Sequence, residues 1–188
     1  GLISFTGIDA RRTLDLIACS DLTKSDQQMM VYSMILNEDG GVLDDVMIGQ
    51  FSDRYLMIVN ASNHRKILDW AISHAIGDTK IETLNAHTGL MAFQGPKAKD
   101  LLAQVLGDAV HDIKRFRHAT LTYQNQSVTL MRTGYTGEDG FEIMTDHDKT
   151  VSIWTSLIDL GAAPVGLAAR DTLRMEAGLP LYGQELSE

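Results

Sequence analysis

Cys19 is the single cysteine among 188 residues. One thiol closes no disulfide and builds no cysteine metal cluster, so both kinds of scaffold are excluded. Positive charge is also scarce: 16 Lys and Arg face 25 Asp and Glu, a net −9. A nucleic-acid binder carries a basic footprint, and this chain runs the other way. The exception is Lys114-Arg115-Phe116-Arg117-His118, which reads as a solvated loop or as a contact for an anionic ligand or acidic partner. No apolar run is long enough to span a membrane, and no signal peptide is visible. The histidines (His64, His74, His87, His111, His118, His147) show no HExxH or other ligand spacing, so no metal is expected. A G-x-S-x-G elbow and a Rossmann fingerprint are absent as well. With 44% hydrophobic and 22% charged residues, the chain has the composition of a globular protein able to bury a good core.

What is present is a repeat. Phe5-x-Gly7-x-x-Ala10-x-x-x-Leu14 returns as Phe93-x-Gly95-x-x-Ala98-x-x-x-Leu102, displaced by 88 residues. Strands are expected at 2–7, 29–36, 42–51, 55–60 and 80–85, and again at 119–123, 127–132 and 140–145. Helices are expected after Asp9, after Ser62 or Asn63, over the stripe Ala98, Leu101, Leu102, Val105 and Leu106, and from 149 to 160. Cys19 extends the apolar stripe of the first helix and reads as a small buried hydrophobe. The order of elements predicts an α+β chain: two ferredoxin-like βαββαβ-type units with antiparallel sheets, related by internal duplication, over 1–87 and 88–188.

Three stretches stand out. Asn37-Glu38-Asp39-Gly40-Gly41 is a turn leading into the strand Val42 to Phe51. Alternation places Leu43, Asp45 and Met47 on one face and Val42, Asp44, Val46 and Ile48 on the other. The two aspartates are either water-facing at a frayed strand end or held in apolar surroundings, where an unpaired polar group costs on the order of 1–3 kcal/mol. Calcium-loop spacing is missing there. Gly134-Tyr135-Thr136-Gly137-Glu138-Asp139-Gly140 leads into a strand rather than a helix, unlike a phosphate-binding P-loop, and Glu142 alternates with Phe141 and Ile143. Arg170 and Arg174 lie one turn apart on a short helix that Gly178 stops, free to pair with Asp171 or Glu176 or to meet a carboxylate.

Together with Gln94-Gly95-Pro96 and Gly166 through Gly183, these stretches resemble the glycine cleavage system T-protein family, the tetrahydrofolate-dependent aminomethyltransferases. The resemblance implies transfer of a methylene group from the aminomethyl-dihydrolipoyl arm of the H-protein to tetrahydrofolate, with release of ammonia. It implies Asp45 as the catalytic carboxylate and Glu142 as acceptor for pterin N–H groups. Arg170 would help hold the folate, with Tyr32, Met47, Ile58, Asn60 and Tyr135 as pocket wall. Lipoylated H-protein is the implied partner, and the implied compartment is the cytoplasm of a bacterium or the mitochondrial matrix of a eukaryote. Family members carry an N-terminal segment and a C-terminal barrel domain beyond the stretch matched here, so the chain reads as a fragment. Two relatives compete: a folate-binding, non-catalytic iron–sulfur assembly type, and the folate-binding part of a demethylating oxidase or dehydrogenase. The first has a Lys-Gly-Cys-Tyr-type motif where this chain has Pro180-Leu181-Tyr182-Gly183.

Overall fold

The computed structural model describes residues Gly1 to Glu188. They form two units: Gly1–Ala86 with Leu181–Glu188, and His87–Pro180. The first boundary falls one residue before the expected 87/88 division. The terminal segment, expected in the second unit, belongs to the first. Val42 N–H donates to the Ser187 carbonyl at 2.9 Å, and Lys66 Nζ reaches Tyr182 Oη and Glu188 Oε1, both at 2.7 Å. No helix is long and apolar enough to cross a membrane.

The first unit runs β1 (Leu2–Thr6), α1 (Ala10–Ile17), β2 (Met30–Leu36), β3 (Val42–Gln50), β4 (Tyr55–Ile58), α2 (His64–Ser73) and β5 (Lys80–Thr83). Its sheet has the order β2-β3-β4-β1-β5, antiparallel throughout. The apolar stripe of α1 and the Ile67–Ala71 stripe of α2 bury against Ile3, Phe5, Ile35, Val46, Ile48 and Met57. Each such aliphatic side chain contributes about 1.5–3 kcal/mol by leaving water.

Helix α1 ends at Ile17, earlier than its stripe suggested. Ala18 turns to extended backbone and bridges Ile35, while Cys19 N–H donates to the Met34 carbonyl. This edge pairing takes Cys19 off the helix, and it is exposed rather than a core residue. Asn63 precedes α2 but makes no side-chain cap; its Nδ2 donates instead to Asp44 Oδ1.

The second unit runs β6 (Thr88–Gln94), α3 (Ala98–Leu106), β7 (His118–Tyr123), β8 (Gln126–Met131), β9 (Gly140–Asp146), α4 (His147–Asp159) and α5 (Leu167–Glu176). Its sheet order is β6-β9-β8-β7. Met91, Leu102, Leu130, Phe141, Ile143, Ile153 and Leu157 make its core.

The order β7-β8-β9-β6 repeats β2-β3-β4-β1, with three strands between the helices in each copy, and the first unit adds β5 at the edge beside β1. Phe5 pairs with Tyr55 in β4, and Phe93 pairs with Phe141 in β9. Gly7 and Gly95 both hold positive φ, at 102° and 122°, Ala10 and Ala98 open the helices, and Leu14 and Leu102 are fully buried. The copies differ at their ends. After α4 the second unit has no counterpart of β5: Gly161 turns at φ 94°, and the exposed Pro164 has no N–H for a ladder.

Candidate functional site

In the first unit the chemistry gathers on β3 and the end of β4. Ile35 pairs with Asp44 and Leu36 with Val42, so Leu43 is the extra residue of a β-bulge. Strict alternation would separate Leu43 from the Asp44 face, but the bulge leaves both buried, at 5% and 0% exposure. The poorly hydrated carboxylate is therefore Asp44. Its Oδ2 accepts from Asn60 N–H at 3.0 Å, and its Oδ1 accepts from Asn60 Nδ2 at 2.8 Å and Asn63 Nδ2 at 2.6 Å. Burial pushes this carboxyl up from its ordinary range. The hydrogen bonds from Asn60 and Asn63 pull the other way, and the neighbouring Asp45 charge adds to the rise.

Asp45 points to the opposite face and is half-buried. Oδ1 accepts from Asn60 Nδ2 at 2.8 Å, and Oδ2 accepts from the Tyr32 hydroxyl at 3.1 Å. A carboxylate has about four acceptor sites, so Asp45 retains capacity for an outside N–H donor or for a proton. Tyr32, Met47 and Ile58 lie in one register across β2, β3 and β4 on this same face. Among the residues expected in this unit, Asp45, Asn60, Tyr32, Met47 and Ile58 thus lie around one stretch of sheet. Asp44 and Asn63 belong to the cluster too. Asn63 gave no signal in the sequence beyond its resemblance to a cap.

In the second unit Glu142 stands on β9, paired with Ala92 and Met131, on the face turned from Phe141 and Ile143. Thr133 donates its hydroxyl to Glu142 Oε2 at 2.6 Å, while Oε1 has no hydrogen bond within the protein. Burial raises the Glu142 carboxyl above its ordinary value. The Thr133 bond and the Arg170 charge hold the rise in check. The Arg170 guanidinium stacks over the Tyr135 ring, 4.5 Å from its centroid, and the Tyr135 hydroxyl donates to the Pro180 carbonyl. Arg174 plays another part: it is buried, paired with Asp171 at 2.8 Å, and donates to the Leu179 carbonyl that follows α5.

The glycine-rich turn is built around Gln94. Its Nε2 donates to the carbonyls of Thr133 and Phe141, each at 3.0 Å. A Cβ on Gly134 would sit 1.9 Å from Gln94 Oε1, and one on Gly140 would meet the same amide at 2.5 Å. Arg132 closes the turn with a bidentate pair to Asp139, at 2.9 and 2.7 Å. These two glycines therefore make room for a side chain. Thr133 and Gln94 had no assigned role in the sequence reading, since the bonds that define them cross strands. The basic run Lys114–His118 is divided: Lys114 and Arg115 are exposed, whereas His118 is buried at the start of β7.

Comparison with known proteins gives a consistent picture. The family model described as "GCVT N-terminal domain" matches residues 1–188. The chain is 40% identical over 191 residues to an aminomethyltransferase of Staphylococcus haemolyticus, covering 100% of this chain and 53% of that protein. It also resembles the crystal structure of the glycine cleavage system aminomethyltransferase T from Bartonella henselae, with a TM-score of 0.89 and 31% identity over 98% of this chain and 50% of that one. The chain thus spans about half the length of these relatives.

Proposed function

The chain belongs to the GCVT N-terminal domain family, and on that premise we propose that it is the folate-binding part of a tetrahydrofolate-dependent aminomethyltransferase of the glycine cleavage system. The one-carbon donor is the aminomethyl group on the lipoyl arm of H-protein. Tetrahydrofolate supplies the amine nitrogen that receives the carbon, and ammonia leaves. The reaction belongs to the bacterial cytoplasm, or to the mitochondrial matrix in a eukaryote.

The observation that carries this reading is the state of Asp45. Its two oxygens are fixed by Asn60 and Tyr32, and it stands on the sheet face that also presents Met47 and Ile58. A carboxylate so held has three tasks. It orients a weakly nucleophilic nitrogen, accepts its proton as the bond to carbon forms, and stabilises positive charge developing beside it. Met47, Ile58 and the Tyr32 ring offer an apolar wall for a flat heterocycle. In the second unit, Glu142 is suited to accept N–H groups of a pterin: Thr133 occupies one oxygen and leaves the other. Arg170, anchored over Tyr135, contributes a fixed positive charge toward the ligand's acidic groups.

Calorimetric titration of the chain with tetrahydrofolate tests the reading. Saturable binding that E142Q weakens is the expected result. A chain that binds no tetrahydrofolate, or a variant that binds it equally well, would count against it. In the whole protein, tetrahydrofolate-dependent ammonia release from aminomethylated H-protein tests the reaction itself.

A further inference from the structure

Asp44 has the most buried carboxylate in the first unit, and the reading above gives it no task. Three donors converge on it, two from Asn60 and one from Asn63. It makes no hydrogen bond to Asp45. The Asn60 side-chain nitrogen lies 2.8 Å from Asp44 Oδ1 and 2.8 Å from Asp45 Oδ1, with the Asp45 carbonyl at 3.4 Å. Both close neighbours are acceptors, so this end of the amide must be its NH₂ group; an oxygen there would face two carboxylate oxygens. A primary amide has two hydrogens fixed in one plane. With one of them committed to Asp44, the other is directed at the Asp45 side.

We propose that Asp44 is a positioning residue that holds the Asn60 amide so that its second hydrogen stays on Oδ1 of Asp45. The proposal rests on the reading of Asp45 as the working carboxylate. The β-bulge at Leu43 is the device that makes it possible, because it leaves Leu43 and Asp44 both buried while Asp45 stays on the other face. Burying a carboxylate is costly unless its lone pairs are met, and here the three donors meet them. The result is a fixed donor on Asp45, set before any ligand arrives, so that less reorganisation is left for the reacting groups. Asn63 serves at one remove by anchoring the same Asp44 oxygen.

The test reads the two Asn60 Nδ2 protons by NMR hydrogen exchange in the chain, in wild type and D44N. Losing one hydrogen bond of this kind corresponds to about a tenfold change. In D44N both protons should exchange roughly tenfold faster or more, including the one facing Asp45, while the backbone spectrum of β3 and β4 is kept. Retained protection of the Asp45-facing proton in folded D44N overturns the proposal. Should D44N fail to fold, N63A takes its place, since it strips one donor from Asp44 and leaves Asn60 and Asp45 intact. A smaller acceleration of both protons is then expected, and none overturns the proposal. Tetrahydrofolate binding by the wild-type chain is measured separately. Its absence would remove the functional reading, and the exchange result would still decide whether Asp44 sets Asn60.

Discussion

Thr133 donates a 2.6 Å hydrogen bond to Glu142, a carboxyl that burial has already pushed upward. The bond favours the ionised form, so T133V should raise the Glu142 pKa further. If the carboxylate is what receives pterin N–H groups, folate affinity falls as pH drops through that pKa. The midpoint of the fall should lie at higher pH in T133V than in wild type. Binding titrations across a pH series check this, and coincident midpoints would separate Glu142 from the ligand.

The same residue predicts a trade of stability against function. A carboxyl with a folded pKa above its unfolded one holds its proton more tightly when folded, so stability declines as pH rises from the ordinary value of 4.5 through the folded pKa. Above that window E142Q escapes the cost of an ionised carboxylate and should melt higher at neutral pH while binding folate worse. A gain of about 1 kcal/mol moves Tm by roughly 2–4 °C in a domain of this size. A lower Tm at neutral pH would show that the Thr133 and Arg170 interactions outweigh desolvation.

In the whole protein, Asp45→Asn should lower turnover by about 10²–10⁴-fold with folate affinity largely kept, since the amide preserves shape but loses charge and basicity. Ammonia release and folate binding, measured separately, give the split. Wild-type rates in the variant would move the chemistry elsewhere.

Gly7 and Gly95 occupy the same place in the two copies but under different demands. Both have positive φ, yet a Cβ on Gly7 would lie 2.1 Å from the Asp78 carbonyl, whereas Gly95 has nothing within 4 Å. Gly95→Ala meets only backbone strain, about 1–2 kcal/mol. Gly7→Ala adds a main-chain clash and should cost clearly more. Thermal melts of the two variants decide it, and equal losses would mean that the loop before β5 yields easily.

Arg132 holds the Asp139 carboxyl below its usual range, so the pair adds stability above the ordinary value of 3.8 and loses it as pH falls through the lower folded pKa. D139N should destabilise the chain at neutral pH by about 1 kcal/mol, as expected for a partly exposed bidentate pair. The difference from wild type should vanish in strong acid. A pH-independent penalty would point to the shape of the turn rather than its charge.

Periodicity was enough to read the duplication and most of the strands and helices, because Phe5, Leu14, Phe93 and Leu102 carry the core pattern on their spacing; β6 (Thr88–Gln94) had no range among the expected strands. The family resemblance named Tyr32, Met47, Ile58 and Asn60 only as pocket wall; that Tyr32, Met47 and Ile58 share one register across three strands comes from the strand pairing. What escaped depends on partners distant in sequence. The bulge at Leu43 arises in pairing with Ile35 and Leu36, and it decides which aspartate is buried. Cys19 left its stripe because Met34 offered a carbonyl at the sheet edge. Asn63 looked like a cap, but its amide serves Asp44, a residue one strand away that no local rule connects to it.

The return of residues 181–188 to the first unit has a consequence in time. The second unit is one uninterrupted length of chain, so all of it has left the ribosome while the first unit still lacks its last segment. The first unit closes only when Ser187 reaches Val42 and Glu188 reaches Lys66. The turn that leads into Asp44 and Asp45 is therefore fastened only after the whole second unit has been made.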